Sequence, residues 1–212
     1  MLELLKQDEI FEELKNRIVR LDYEPGKILN EVEISEEFGV SRTPIRHAFQ
    51  RLELHKLIQI VPRYGAQVPQ IDFIRMKSLF ELTMVLDPFA ARLATDIINQ
   101  DVIDELDELV ERLKNYDMAV EYREAILDDE KFHEIILENC GNEWLQEILT
   151  GLHFHSERLW HYCNRFFESP EIFHDTLEPV VEAIKKRDAD SAEKYARIHI
   201  EQFVGRIKST LL

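Results

Sequence analysis

The sequence predicts a mainly α-helical protein in two parts: an N-terminal winged helix-turn-helix over residues 1–70 and a C-terminal antiparallel all-α bundle of about six helices over residues 71–212. Three observations predict this division. Apolar residues recur at three- and four-residue intervals along most of the chain, the period of an amphipathic helix. Strand-like runs, "LIQIV" and "AQV", occur only around "PRYG" between residues 57 and 68. The formal charge of −16 is also uneven: residues 1–70 hold 10 Lys/Arg against 12 Asp/Glu, a net of −2, and the remaining 16 against 30 leave −14 for residues 71–212. Parts so different in charge point to different partners, and a polyanion has to meet the first.

Taken in order, Phe11, Leu14, Ile18 and Leu21 form one helical stripe, which Pro25-Gly26 ends. Asn30 followed by Glu33 fits a capped helix start, with Ile34 and Phe38 facing inward and Gly39 breaking the helix. Ser41 or Thr43 caps a third helix, Pro44 sits in its first turn where a missing N–H costs little, and Ile45, Ala48, Phe49 and Leu52 make its buried face. The strand runs then form a hairpin with a basic tip. Helical segments follow at 73–99, 102–117, 120–139, 143–166, 170–187 and 189–210, with breaks at Gln100-Asp101, Gly141-Asn142, Ser169-Pro170 and Asp188. Pro88 and Pro179 lie inside segments and are expected to kink them.

Apolar residues at 45% and charged residues at 32% exclude a disordered chain. No apolar run approaches the roughly 20 residues of a membrane span, and "MLELLKQDEI" has no basic region followed by an apolar run, so no signal peptide is expected. Cys140 and Cys163 form no CxxC pair, which suits a reducing compartment. The expectation is a cytoplasmic protein with no membrane partner.

Between Arg42 and Arg63 five basic residues face one acid, Glu53, a local charge of +4 in an acidic chain. Arg42 and Arg46 are four apart and opposite the buried face of the third helix, where a helix-turn-helix presents side chains to the major groove. The arginine fork matches guanine O6 and N7. The hydroxyls of Ser41 and Thr43, with the free N–H groups of the helix start, suit phosphate. Arg63 and Tyr64 stand at the hairpin tip, and Gly65 permits the tight turn.

The run "PGKILNEVEISEEFGVSRTPIRHAFQRLELHKLIQIVPRYGAQV" resembles the winged-helix domain of GntR-family bacterial transcription regulators, across residues 8–70. The resemblance implies base or phosphate contacts from Arg42, Thr43, Arg46 and Gly65 to double-stranded DNA. Val32 departs from it, standing where the family carries an arginine. The stretches "LFELTMVLDPFAARLA" (79–94), "DEKFHEIILENCGN" (129–142) and "VVEAIKKRDADSAEKYARIHI" (180–200) resemble the FCD (FadR C-terminal) ligand-binding bundle. That resemblance implies a divalent metal held by one Asp and three His, with a small carboxylate effector bound over it.

The residues support part of such a site directly. Asp129 and His133 are four apart, so both project from one helix face, and His199 lies in the inward stripe of the last helix. Imidazole with carboxylate suits zinc, nickel or iron. Against the family pattern, Leu177 takes the place of the middle ligand histidine, with His174 three residues earlier as a substitute, and Thr83 takes the place of a carboxylate-gripping arginine. His153, His155 and His161 add imidazoles that either line the pocket or face solvent. A homodimer reading a palindromic operator is expected, because one recognition helix buries too little surface for a regulator. Two other readings compete. A metal-free acyl-CoA-type sensor would use Leu177 with Phe154, Trp160, Phe166 and Phe167. A di-metal carboxylate enzyme would use Glu130-x-x-His133 and Glu171-x-x-His174, but the attached DNA-reading part makes a non-enzymatic sensor the more economical expectation.

Overall fold

The computed structural model describes residues 2–163 and 171–211, with side chains over 7–163 and 173–208. The expected break at Ser169-Pro170 and the aromatics Phe166 and Phe167 lie outside the described residues. Two compact units are present: Met1–Phe73 with Phe154–Tyr162, and Ile74–His153 with Cys163–Leu212.

The first unit contains α1 (Leu2–Val19), β1 (Ile28–Leu29), α2 (Glu31–Glu37), α3 (Arg42–Leu54), β2 (Gln59–Val61) and β3 (Gly65–Gln67). Phe11, Leu14 and Ile18 of α1 and Ile45, Ala48, Phe49 and Leu52 of α3 are buried together, as their spacing requires. Helix α1 ends at Val19, and Leu21 leaves the helical stripe with a φ of 65°. Asn30 caps α2 by accepting from the Val32 N–H at 2.8 Å, and Gly39 ends it with a φ of 61°. Strand order is β1-β3-β2, antiparallel throughout, with Leu29 opposite Ala66 and Ile60 opposite Ala66 from the other side. Strand β1 was not expected from the sequence, since two residues carry no period. It explains Gly65: at φ 112° an added Cβ would lie 2.1 Å from the Leu29 carbonyl oxygen.

Helix α3 closes with His55 as its C-cap and Lys56 at a φ of 59°, the Leu57 N–H reaching Leu52 O and the Lys56 N–H reaching Glu53 O, both at 2.9 Å. Segment Phe154–Tyr162 packs into this unit. Phe154 joins its apolar core, the His155 Nε2–H donates to His55 O at 2.8 Å, and Arg158 Nη2 donates to Pro69 O at 2.7 Å.

The second unit is built from α4 (Phe73–Ile97), α5 (Gln100–Asn115), α6 (Tyr122–Glu138), α7 (Glu143–Cys163), α8 (Glu171–Lys185) and α9 (Ala189–Leu211). Helices α4 and α8 run unbroken through Pro88 and Pro179. The expected break at Gln100-Asp101 falls earlier: Asn99 caps α5, accepting from the Val102 N–H at 3.0 Å, so Gln100 and Asp101 are already helical. Asp188 caps α9 through Ser191, whose N–H and hydroxyl donate at 3.1 and 2.6 Å. Ile103, Leu106, Val110 and Leu113 bury one face of α5, which packs against α6 and α8, and α8 packs against α9. Among the described residues no helix is long and apolar enough to cross a membrane.

Candidate functional site

The exposed face of α3 carries Arg42, Thr43 and Arg46, preceded by Ser41 as N-cap. Among the described residues none donates a cap hydrogen bond to the Ser41 hydroxyl, which leaves it available outward. Arg42 and Arg46 are more than half exposed, and both reach the same oxygen of Glu31 in the first turn of α2: Arg42 Nη2 donates to Oε2 at 3.0 Å and Arg46 Nε at 2.8 Å. Partial burial pushes the Glu31 carboxyl up, but the hydrogen bonds and charges of Arg42 and Arg46 outweigh it, and its pKa lies below the ordinary value. Sequence reading missed Glu31, because nothing local links positions 11 and 15 residues apart. Arg51, counted with the basic stretch, turns back to α1, donating to Asp8 at 2.6 Å with its guanidinium 3.9 Å from the Phe11 ring centroid. Arg63 and Tyr64 are exposed at the β2–β3 turn, with Arg63 at a φ of 69°. Val32, the departure from the family pattern, is exposed at the start of α2.

In the second unit Asp129 and His133 of α6 meet His199 of α9, their ligand atoms all within 4.8 Å of one another. The two Nε2 atoms of His133 and His199 are 3.1 Å apart, and Asp129 lies 3.9 Å from the first and 3.5 Å from the second. A separation of 3.1 Å suits a hydrogen bond from one ring to the other's lone pair, or two lone pairs turned on one ion. With the Thr176 hydroxyl donating to Phe173 O at 3.1 Å, its 2.7 Å contact with His199 Nδ1 assigns the ring proton to Nδ1. The lone pair of His199 is thereby left on Nε2, facing the cluster.

Burial lowers His133 to about 4, with the charge of Asp87 opposing and that of His153 adding, and burial also drives His199 well below its usual value. Both rings are neutral at pH 7, as ligation requires. A cavity of about 20 Å³ adjoins them, lined by Asp87, Phe132, His133, Leu177, Ala196 and His199 among others. That volume holds one water-sized occupant. The donor set fits a small divalent transition ion.

Leu177 is buried in the cavity wall. His174 stays outside the cluster, bonded through Nδ1 to Asp175 at 2.8 Å and lying 3.7 Å from Glu178. Thr83 is buried and donates to Phe80 O at 3.4 Å. The histidines of α7 take separate places: His153 bonds Asp87 at 2.7 Å beside the cavity, His155 closes the end of α3, and His161 is buried. The pair of Asp87 and His153 was not foreseen, since 66 residues separate its members. Glu130-x-x-His133 supplies only its histidine to the cluster, and the side chain of Glu171 lies outside the described ones.

His133 also links stability to pH. Its folded pKa of about 4 lies below the unfolded value of 6.5, so between these values the unfolded chain binds more protons. Metal-stripped protein is expected to hold this contribution above pH 6.5 and lose up to ~3 kcal/mol of it as pH falls toward 4. Thermal melts at pH 7, 5.5 and 4.5 check it, and the slope should shrink in His133→Gln to the part that His199 contributes.

A winged helix with outward arginines, followed by a helical bundle around a buried polar cluster, defines a DNA-binding transcription regulator with a ligand-binding half. The comparisons agree. Residues 6–68 match the family of bacterial regulatory proteins called gntR, and residues 78–202 match the FCD domain. The chain belongs to the GntR family of transcription regulators, in the group that carries an FCD domain, and that domain makes it a binder of small-molecule effectors. Among its relatives, the HTH-type transcriptional regulator YdhC of Bacillus subtilis is 24% identical over 96% of this chain and 91% of its own length. The transcriptional repressor RspR of Escherichia coli is 26% identical over 94% and 88%. The solved structure of McbR/YncC from E. coli shares the fold with a TM-score of 0.84 at 20% identity, covering 98% of this chain and 99% of its own.

Proposed function

We propose that the protein is a cytoplasmic, homodimeric and non-enzymatic regulator that reads a palindromic operator with α3 and the β2–β3 wing of each protomer. Arg42 and Arg46 read base edges, Ser41 and Thr43 hold phosphate, and Arg63, Tyr64 and Gly65 carry the wing to the neighbouring groove or backbone. Operator affinity is set by a small oxygen-bearing effector, a carboxylate in its simplest form, at a zinc, nickel or iron ion held by Asp129, His133 and His199. The single observation that carries the effector reading is the convergence of these three donors in the bundle, with both imidazoles neutral. When bound, the ion supplies a Lewis-acid position for the effector oxygen. The three protein ligands leave positions for it, and Thr176 orients His199 toward it. Mass spectrometry of natively purified protein, for metal and co-purifying small molecule together, tests this reading; metal-free protein with an apo mass would overturn it. The acyl-CoA alternative finds less support, because Phe154 and Trp160 belong with the first unit.

Support for the dimer comes from α4, where Leu82, Val85 and Phe89 recur three and four apart and stay 51, 55 and 40% exposed. Such a stripe in a soluble chain marks an interaction surface, and a second copy presents the same stripe to it. Val85→Asp in the full-length chain is expected to convert a dimer into a monomer in light scattering at micromolar concentration. An unchanged dimer mass would move the interface elsewhere. The full chain is required, because a fragment starting at residue 71 strips Phe154–Tyr162 of its packing partners.

A further inference from the structure

We propose that Glu31 is a specificity-determining residue of the DNA-reading face: one carboxylate oxygen aims the guanidinium groups of Arg42 and Arg46 and withholds them from DNA that offers only phosphate. The inference rests on the reading that these two arginines contact bases.

The donors used by each arginine carry the argument. Arg46 gives its Nε to Glu31 Oε2 at 2.8 Å, which leaves its two terminal nitrogens uncommitted to Glu31 on a side chain 58% exposed. Guanine O6 and N7 require two donors side by side, and the terminal pair of Arg46 supplies them without breaking the bond to Glu31. Arg42 gives Nη2 at 3.0 Å, so its remaining Nε and Nη1, on opposite sides of the guanidinium, each serve a single acceptor. Glu31 thus restrains the plane of a long side chain while sparing base-reading donors, so ordering that DNA binding would otherwise require is already present in the free protein.

A stabilising role is the plainer alternative, and the exposure speaks against it. The arginine side chains are 53% and 58% exposed, a setting in which ion pairs contribute little to folding. The same exposure leaves the two guanidinium groups open to a DNA backbone, with the carboxylate of Glu31, 23% exposed, bonded to both. A phosphate seeking either guanidinium competes with Glu31 for its donors and meets a negative charge there. A guanine edge presents neutral acceptors and meets neither obstacle to the same degree. Glu31 therefore weakens phosphate-only contacts more than base contacts, which raises the ratio of specific to non-specific affinity.

The test uses full-length protein, a duplex that wild type selects from a random-sequence library, and a scrambled duplex of equal composition, by fluorescence anisotropy at fixed salt. Glu31→Gln is expected to bind the scrambled duplex about 5- to 10-fold more tightly and to lower the specific-to-scrambled ratio about 10-fold. The slope of log affinity against log salt on scrambled duplex should steepen by about one, the contribution of one more phosphate contact. Glu31→Ala serves as a second variant with the same expectation. A merely structural residue would shift both affinities together, so a ratio unchanged within about twofold overturns the proposal. Arg46→Ala separates the two levels. If it loses the selected duplex while Glu31→Gln keeps the ratio, only the role of Glu31 fails. If Arg46→Ala binds like wild type, or the library yields no preferred duplex, the base-reading assignment beneath it fails.

Discussion

Arg46→Ala weakens binding to a selected duplex by ~1–3 kcal/mol, roughly 5- to 150-fold, and flattens the preference at the base it reads. The magnitude follows from two donors lost against guanine in a groove that excludes much of the water. Arg46 lies on the exposed face of α3, 58% exposed, with Ile45, Ala48, Phe49 and Leu52 buried behind it. Removing its side chain therefore leaves the core of the first unit intact, and thermal stability should be unchanged. Arg63→Ala serves as the contrast. A backbone contact from the wing tip would lower affinity for all duplexes alike, with a smaller salt slope and no change in preference. Wild-type affinity and preference in Arg46→Ala would remove base readout from this residue.

His133→Ala and His199→Ala each weaken zinc or nickel binding at least ~100-fold in isothermal titration of chelator-treated protein. Each removes one of three protein donors that lie within 4.8 Å of one another, and two remaining donors do not hold such an ion well. With Leu177 in the cavity wall and His174 turned to Asp175, wild-type affinity should fall below that of a four-ligand site. Thr176→Val is expected to cost ~10- to 100-fold, because His199 is then free to take the other tautomer and turn its Nε2 lone pair into an N–H. Because His133 titrates near 4, affinity should stay nearly level from pH 7 to 5 and collapse only below that. Wild type that binds neither ion below about millimolar, or variants that bind as well as wild type, would abolish the site.

What was legible in the sequence is what repeats or sits close along the chain. The buried face of α3, the six helical segments of the second unit and the i,i+4 pair of Asp129 and His133 all rest on the 3.6-residue period. Illegible features arise where distant residues meet. Strand β1 exists because β3 offers it a partner, and Gly65 is glycine because the Leu29 carbonyl approaches it. Thr176 touches the cluster through His199, and Asp87 meets His153 across 66 residues of sequence. Helix α7 reads as one amphipathic segment, yet Phe154 and His155 pack with α1 and α3. Periodicity finds the helix and its buried side, but which neighbours it buries against is a tertiary property.

Native mass spectrometry of the purified full-length protein with a selected duplex tests the central claim most directly, since it weighs chain, DNA and ion together. The account predicts one duplex bound by two chains that carry one divalent ion each, with both ions lost from the His133→Ala/His199→Ala double variant. A single chain on the duplex, or a wild-type complex whose mass leaves no room for metal, would contradict it.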